Sequence, residues 1–333
     1  MRVLKSVTLL LAAILLFLAF PAGPYAEGSQ SEAEEYSQRM ALYKKTEAVT
    51  RIPWYFLAAV DQYERSVRRA RKDRPEAEGL IAVFFSPAQW SGPLNPNQED
   101  TNPASIGLFG GMGKDGNGDG KAEQTNDEDV LYTLAHYLEG YGHDDDNFTI
   151  ALWEYYNREQ AVNIVMANAL LFKTYNRIDL VEHAFPVPLN VNYSYRSTWG
   201  DRRGWGGLRI HEGTDIFADY GVPVRATGYG VIEMKGWNRF GGWRIGIRDI
   251  NNNYHYFAHL RGFADGIKEG QTVKPGTVIG YVGSSGYGKP GTQGKFPPHL
   301  HYGIYRDNGA VEWSYDPYPY LKVWERKERQ KNK

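Results

Sequence analysis

Two regimes of hydrophobic spacing divide the chain. From Ser31 to about Tyr175 apolar residues recur at helical intervals, over 34–50, 54–71, 129–138 and 158–175. In the last of these, Val162, Val165, Met166, Ala169 and Leu170 share one face of a 3.6-residue turn. Phe185-Pro186-Val187-Pro188 then punctuates the chain, and the spacing changes. Short β-branched and aromatic runs between glycine-bearing turns, at 222–226, 231–234, 245–248, 254–258 and 278–282, predict strands. The pattern predicts an α+β two-domain chain, helical first and strand-rich second, divided near residue 185. The charged segment 321–333 reads as a tail, frayed from Glu325 onward. Ahead of the helical half, Arg2 and Lys5 precede an unbroken apolar stretch from Val7 to Phe20. It is shorter than the roughly 20 residues a spanning helix needs, and with Pro21 and the small residues up to Ala26 it reads as an export signal over 1–26. Pro24 disfavours cleavage after Ala26, so an N-terminal anchor is the other reading. Either way the chain is expected outside the cytoplasm, in the wall or facing it from the membrane.

Composition narrows the chemistry more than the architecture. Lys+Arg 38 against Asp+Glu 39 leaves a formal charge of −1, which offers no basic field to nucleic acid. With Cys 0, disulfide frameworks, thiolate metal sites and cysteine nucleophiles are all excluded, so any metal must be held by histidine and carboxylate. Aromatic residues at 14% and Gly 37 suit exposed aromatic grooves and tight turns, as on polysaccharide-facing surfaces. The crowding of Arg65, Arg68, Arg69, Arg71, Lys72 and Arg74 is most simply a solvated helix end. Nothing in the composition names an oligomeric state.

Five of the eight histidines fall between 211 and 301. His211-Glu212-Gly213-Thr214-Asp215 places an imidazole and a carboxylate four residues apart, with a glycine between them to let the backbone turn so that both face one ion. His299-Leu300-His301 puts two imidazoles on one face of a strand, because side chains alternate with period two. Either motif alone is a common accident. Together they supply the residue types of a catalytic zinc site, two histidines and a carboxylate with a position left for water. By the same alternation His255 shares a strand face with His259. His136, His143 and His183 have no chemical partner in view.

The residues around these motifs strengthen the case. In order, the chain carries His211-Glu212-Gly213-Thr214-Asp215-Ile216, Gly221-Val222-Pro223-Val224-Arg225-Ala226, Phe257-Ala258-His259-Leu260, Gly270-Gln271-Thr272-Val273-Lys274-Pro275-Gly276, Ile279-Gly280-Tyr281-Val282-Gly283-Ser284-Ser285-Gly286 and Pro298-His299-Leu300-His301. Over residues 186–320 this resembles the lysostaphin/LytM family of zinc metallopeptidases, which cut peptides of the bacterial cell wall. The resemblance implies an antiparallel β-domain with the metal in a groove between loops. It further implies Zn²⁺ held by His211, Asp215 and His301, with His259 and His299 as the catalytic pair that handles protons, and peptidoglycan as the partner. Two segments depart from the family pattern, Lys235 to Trp243 and Tyr302-Gly303.

Over 31–180 the likeness is patchier. Ser105-Ile106-Gly107-Leu108-Phe109, Asn126-Asp127-Glu128-Asp129, Ala135-His136-Tyr137-Leu138, Tyr156-Asn157 and Val162-Asn163-Ile164-Val165 resemble the lysozyme-like fold of lytic transglycosylases. That resemblance implies an all-α lysozyme-like domain, with Glu64 where the family's glycan-cleaving acid ends an early helix. Arg65 follows it where a serine is usual. Asp115-Gly116-Asn117-Gly118-Asp119-Gly120 looks like a calcium loop, yet Asn126 stands at its twelfth position, where a bidentate glutamate is wanted. The whole arrangement resembles the sporulation L-Ala–D-Glu endopeptidases of endospore formers. Three functions stay open at this point: a zinc endopeptidase of peptidoglycan, a non-catalytic wall-binding scaffold, and a bifunctional hydrolase also active at Glu64.

Overall fold

In the helical half, Asn and Asp side chains set where helices begin. The computed structural model describes residues 30–71, 73–74, 77, 79–204 and 209–332, and the apolar stretch read as an export signal lies outside them. Among the described residues α1 (Gln30–Thr50), α2 (Trp54–Ala70), α3 (Pro87–Ser91), α4 (Pro103–Leu108), α5 (Asp127–Glu139), α6 (Asp145–Tyr156) and α7 (Glu159–Tyr175) follow one another. Asn126 caps α5 by accepting from the amides of Glu128 and Asp129, and three acidic residues fill that helix's first turn, where the dipole favours them. Beside His143, Asp144 is likewise a cap: its carboxylate accepts from Asn147 N at 2.8 Å and starts α6, which the spacing did not predict. α2 packs against α7 through buried Phe56, Leu57 and Val60 on one side and Ile164, Val165 and Phe172 on the other.

The arginine-rich end of α2 is solvated only in part: Arg69 is exposed and Arg71 pairs with exposed Asp73, but Arg65 and Arg68 turn inward. Asp61, fully buried, accepts from Arg39 Nη2 at 2.7 Å and Tyr43 OH at 2.5 Å and from the amide of Ala82. Arg65 bonds the Leu80 carbonyl and pairs with Glu35 at 3.3 Å, and Arg68 Nε donates to Ala82 O at 3.0 Å. These guanidiniums clamp segment 80–82 onto α2, supplying donors to carbonyls that pair with no strand. In the loop that resembles a calcium site, Asp115 accepts from the amides of Gly118 and Gly120, and buried Asp129 accepts from Gly116, Asn117 and Glu123. Its carboxylates are spent on backbone amides.

The second half is an antiparallel sheet. Its strands are β1 (Tyr193–Tyr195), β2 (Arg202–Arg203), β3 (Arg209–Ile210), β4 (Thr214–Ala218), β5 (Pro223–Arg225), β6 (Gly230–Asn238), β7 (Gly242–Arg248), β8 (Asn253–Phe263), β9 (Thr272–Val273), β10 (Val278–Val282), β11 (His299–Asp307) and β12 (Glu312–Tyr315). They run in the order β1-β4-β11-β8-β7-β6-β9; β10 pairs with β5 and β8, β12 pairs with β11, and β2 and β3 form a separate ribbon. Alternation along β11 turns Leu300, Tyr302 and Ile304 into a core shared with Ile216, Ile247, Phe257 and Val282. His299 and His301 therefore face the other way.

The charged C-terminal segment is a helix, α8 (Tyr318–Lys331), and not a frayed tail. Leu321 and Trp324 are buried in the β core, and Glu328 accepts from Phe185 N at 2.9 Å and from Arg225. The inward residues recur every three or four positions, so charge on the outer face concealed an amphipathic helix. Trp324 also stacks on His183 at 4.8 Å, and burial pushes that imidazole down to about 4. The two halves meet closely: Val231 and Ile250 of the β-domain join the helical core, Gln62 Nε2 donates to Ile250 O at 3.0 Å, and Arg158 pairs with fully buried Asp307.

Candidate active site

Asp215 and His301 are directly opposite each other across β4 and β11, which is why residues 86 positions apart in sequence touch. His211 reaches the same point from the segment before β4. Asp215 Oδ1 lies 3.1 Å from both His211 Nε2 and His301 Nδ1, and the two nitrogens are 2.9 Å apart. His211 Nδ1 donates to Thr198 O at 2.8 Å, so in the neutral ring Nε2 carries the lone pair. Three lone-pair atoms in a buried corner are the donor set of a zinc ion, and the residues fit that group. Burial would raise the Asp215 carboxyl, but its close contacts with the His211 and His301 imidazoles and the nearby His299 hold it well below the usual range. Its other oxygen is occupied by Arg203 Nη2.

Gly213 serves this corner by absence of bulk, not by a left-handed turn. A Cβ there would stand 2.7 Å from both His301 Cε1 and Tyr302 O. Gly213→Ala must therefore push the His301 ring or the β11 backbone, and zinc affinity is expected to fall about ten- to a hundredfold, as when a ligand's supporting contacts are lost. Competition with a chromogenic chelator measures it.

The catalytic pair expected from the resemblance sits beside the cluster. His299 Nδ1 donates to Pro297 O at 2.9 Å, leaving its Nε2 edge 3.8 Å from Asp215 Oδ1. His259 Nδ1 donates to Ser285 O at 2.8 Å, and its ring centroid is 4.9 Å from that of His299 and 5.9 Å from that of His301. Burial lowers both imidazoles, strongly for His259, whose fall the His299 and His301 charges deepen. With Nδ1 of each ring tied to a backbone carbonyl, the neutral form of each carries its lone pair on Nε2, as a proton acceptor requires.

His259 does not share a strand face with His255. Between the pairs Ile245↔Phe257 and Trp243↔Leu260 the strand β8 carries one residue more than β7, and His259 takes φ 62° at that bulge. Its amide donates to Gly241 O at 2.7 Å, which holds the unfavourable conformation in place. The bulge turns Ala258 and His259 both toward the groove while Phe257 and Leu260 stay in the core. His255 remains on the core side, bonded to Asp249 Oδ2 at 3.0 Å and Tyr302 OH at 2.7 Å.

The groove over the cluster encloses about 240 Å³. Its walls include residues the sequence did not single out: Arg203, Arg209, Tyr256, Tyr287, Phe296 and Tyr305. Asn238, Phe240 and Gly241, from the segment that departs from the family pattern, line it as well. At the other departure, Gly303 leaves room for the Glu212 carbonyl, which a Cβ would meet at 2.8 Å. Glu64 is not part of this site. It lies in a separate cavity of about 190 Å³ with Arg74, Tyr156 and Arg158, and burial pushes its carboxyl up to about 7 against the opposing charge of Arg74. His136 and His143 are on the surface of the helical half.

The sequence pattern of Peptidase family M23 matches residues 209–313, from β3 into β12. Over 324 residues the chain is 65% identical to the L-Ala–D-Glu endopeptidase of Bacillus subtilis (strain 168), covering 97% of this chain and 99% of that protein. It is 34% identical over 140 residues to lysostaphin of Staphylococcus staphylolyticus, 41% of this chain and 24% of that protein. Among solved structures, the catalytic domain of lysostaphin from Staphylococcus simulans is similar at 30% identity, over 42% of this chain and 99% of that one, with a TM-score of 0.34. Identity of this order from end to end, over a groove whose donors fit zinc, makes the chain a member of peptidase family M23 and the enzyme a zinc metallopeptidase.

Proposed function

We propose that the enzyme hydrolyses the L-Ala–D-Glu bond of peptidoglycan stem peptides, in the wall of a forming endospore, after export directed by its N-terminal segment. The observation that carries this is the convergence of His211 Nε2, Asp215 Oδ1 and His301 Nδ1 within 3.1 Å, beside two imidazoles held by backbone carbonyls, in a chain similar throughout to an enzyme named for that bond. These three side chains would hold the zinc. The ion supplies a polarising charge for the scissile carbonyl and makes a bound water acidic near neutral pH. His259 Nε2, with Nδ1 fixed on Ser285 O, takes the proton of the attacking water and returns it to the leaving nitrogen. His299, fixed on Pro297 O with its Nε2 edge 3.8 Å from Asp215 Oδ1, steadies the charge that develops beside the cluster. All the family positions are filled, so no missing ligand favours a wall-binding scaffold.

We read the helical domain as a lysozyme-like module that contacts glycan or carries the peptidase, without cleaving glycan. The motif order over 105–165 supports the likeness. Activity at Glu64 is disfavoured because α2 runs on to Ala70 rather than ending at the acid, and because the turn after β11 covers the cavity: a Cβ on Gly309 would meet Val67 at 3.1 Å.

Digestion of purified peptidoglycan tests both readings. Mass spectrometry should find new amino-terminal glutamate and no anhydromuramyl ends, and fragments ending at any other bond would overturn the assignment. Glu64→Gln should leave that release intact. It should also alter stability with pH: the folded carboxyl, at about 7 against 4.5 unfolded, favours the folded state fully below pH 4.5 and loses that contribution as pH rises through 7. The stability gap between the natural protein and Glu64→Gln, from denaturant midpoints at pH 4.5 and pH 8, should shift by about 3 kcal/mol toward the variant.

A further inference from the structure

The β2–β3 ribbon places two cations where stability would not. Arg203 and Arg209 are direct cross-strand partners, and both line the groove. Like charges opposite each other weaken a ribbon, and this one has only two paired positions to offset the repulsion. Arg203 is committed to Asp215 Oδ2. The Arg209 guanidinium lies 5.5 Å from the Phe240 ring and 5.4 Å from the Tyr287 ring and donates to the Tyr287 hydroxyl, contacts that help set its direction.

That orientation has a side. Tyr287 stacks beside His259 at 6.2 Å, placing the cation on the His259 wall. On the His301 wall stand Tyr256, 5.9 Å from that ring, and Tyr305, whose hydroxyl donates to exposed Glu212 at 3.2 Å. The groove is positive at one end and negative at the other, with the metal-binding corner between.

Hydrolysis fixes which end receives which half of the peptide. The water oxygen bonds to the carbonyl carbon, the carbon–nitrogen bond breaks, and the leaving nitrogen takes a proton, giving a carboxylate and an amine. The proton comes from His259, so the residue that owns the leaving nitrogen lies on the His259 wall. On the reading that the L-Ala–D-Glu bond is cut, that residue is glutamate, which keeps one carboxylate whichever of its carboxyls joins the next residue. We propose that Arg209 binds this carboxylate and makes the enzyme selective for an acidic residue after the scissile bond. A planar guanidinium fork matches a carboxylate in a way a lysine ammonium does not.

The test compares two stem peptides that differ only in that glutamate carboxylate, free in one and a primary amide in the other. The natural enzyme should favour the free acid by about tenfold or more in kcat/KM, as sites that pair a substrate charge do. Arg209→Gln should erase the preference by raising KM on the acid about tenfold more than on the amide, and Arg209→Lys should restore part of it. Equal slowing on both peptides, an unchanged acid-to-amide ratio, or loss of bound zinc from Arg209→Gln would overturn the role. Fragment masses from the same reactions report the bond. A cut elsewhere by the natural enzyme overturns the underlying reading, whereas an unchanged ratio at L-Ala–D-Glu overturns the Arg209 role alone.

Discussion

His301→Ala is expected to leave the purified protein without stoichiometric zinc and to reduce amine release from peptidoglycan by at least about a thousandfold, the several kcal/mol that a Lewis acid contributes. The variant removes one of three donors and strips Asp215 Oδ1 of its cross-strand partner at 3.1 Å. A site of one imidazole and one carboxylate holds zinc far less tightly than two imidazoles and a carboxylate. Folding should survive, because His301 faces the groove while its neighbours Leu300 and Tyr302 carry the core packing. His259→Ala provides the contrast. His259 lies beside His301 but is not one of the three donors, so the protein should keep its zinc and lose rate, since the lost group is proposed to move a proton and not to bind the ion. Elemental analysis alongside the peptide assay separates the two. A His301→Ala protein that retains both zinc and activity would show that the ion sits elsewhere.

Residue types and spacing exposed part of this site and concealed the rest for identifiable reasons. The pairing of an imidazole with a carboxylate four residues on, and of two imidazoles at strand period, was legible because both signals are local. Gly213 was legible as necessary but for the wrong reason: it makes room for a ring from β11, which no local reading can see. His255 and His259 failed on the assumption of uninterrupted alternation. A single extra residue in β8 reverses the face of everything beyond it, and the bulge is held by a hydrogen bond to Gly241 in the preceding hairpin. Arg203 and Arg209 were invisible because their importance lies in a cross-strand register. Charge misled twice in the same way. Arg65 and Arg68 of α2 and Glu328 of α8 looked solvated, yet each turns inward to a specific carbonyl, amide or guanidinium.

Asp307→Ala should cost about 3 kcal/mol of stability while leaving zinc content and peptide cleavage in place. Asp307 is the last residue of β11, and its carboxylate is fully buried against the Arg158 guanidinium, which is 23% exposed. The same carboxylate accepts from Gly309 N at 2.8 Å and so also shapes the turn that covers the Glu64 cavity. Truncation leaves Arg158 facing a low-dielectric interface without its counterion, and that unpaired charge dominates the loss. Removing both charges, as Arg158→Met with Asp307→Ala, should therefore recover part of what the single variant loses. His299 and His301 stand at the opposite end of the same strand, about 20–25 Å away at the usual rise per residue, so the damage should not reach the metal-binding corner. Denaturant unfolding gives the stability, and the double-variant cycle isolates the pair. An unchanged midpoint in Asp307→Ala would mean that the ion pair contributes nothing to holding the helical domain on the peptidase, leaving that to contacts such as Val231 and Ile250 in the helical core and the Gln62 bond to Ile250 O.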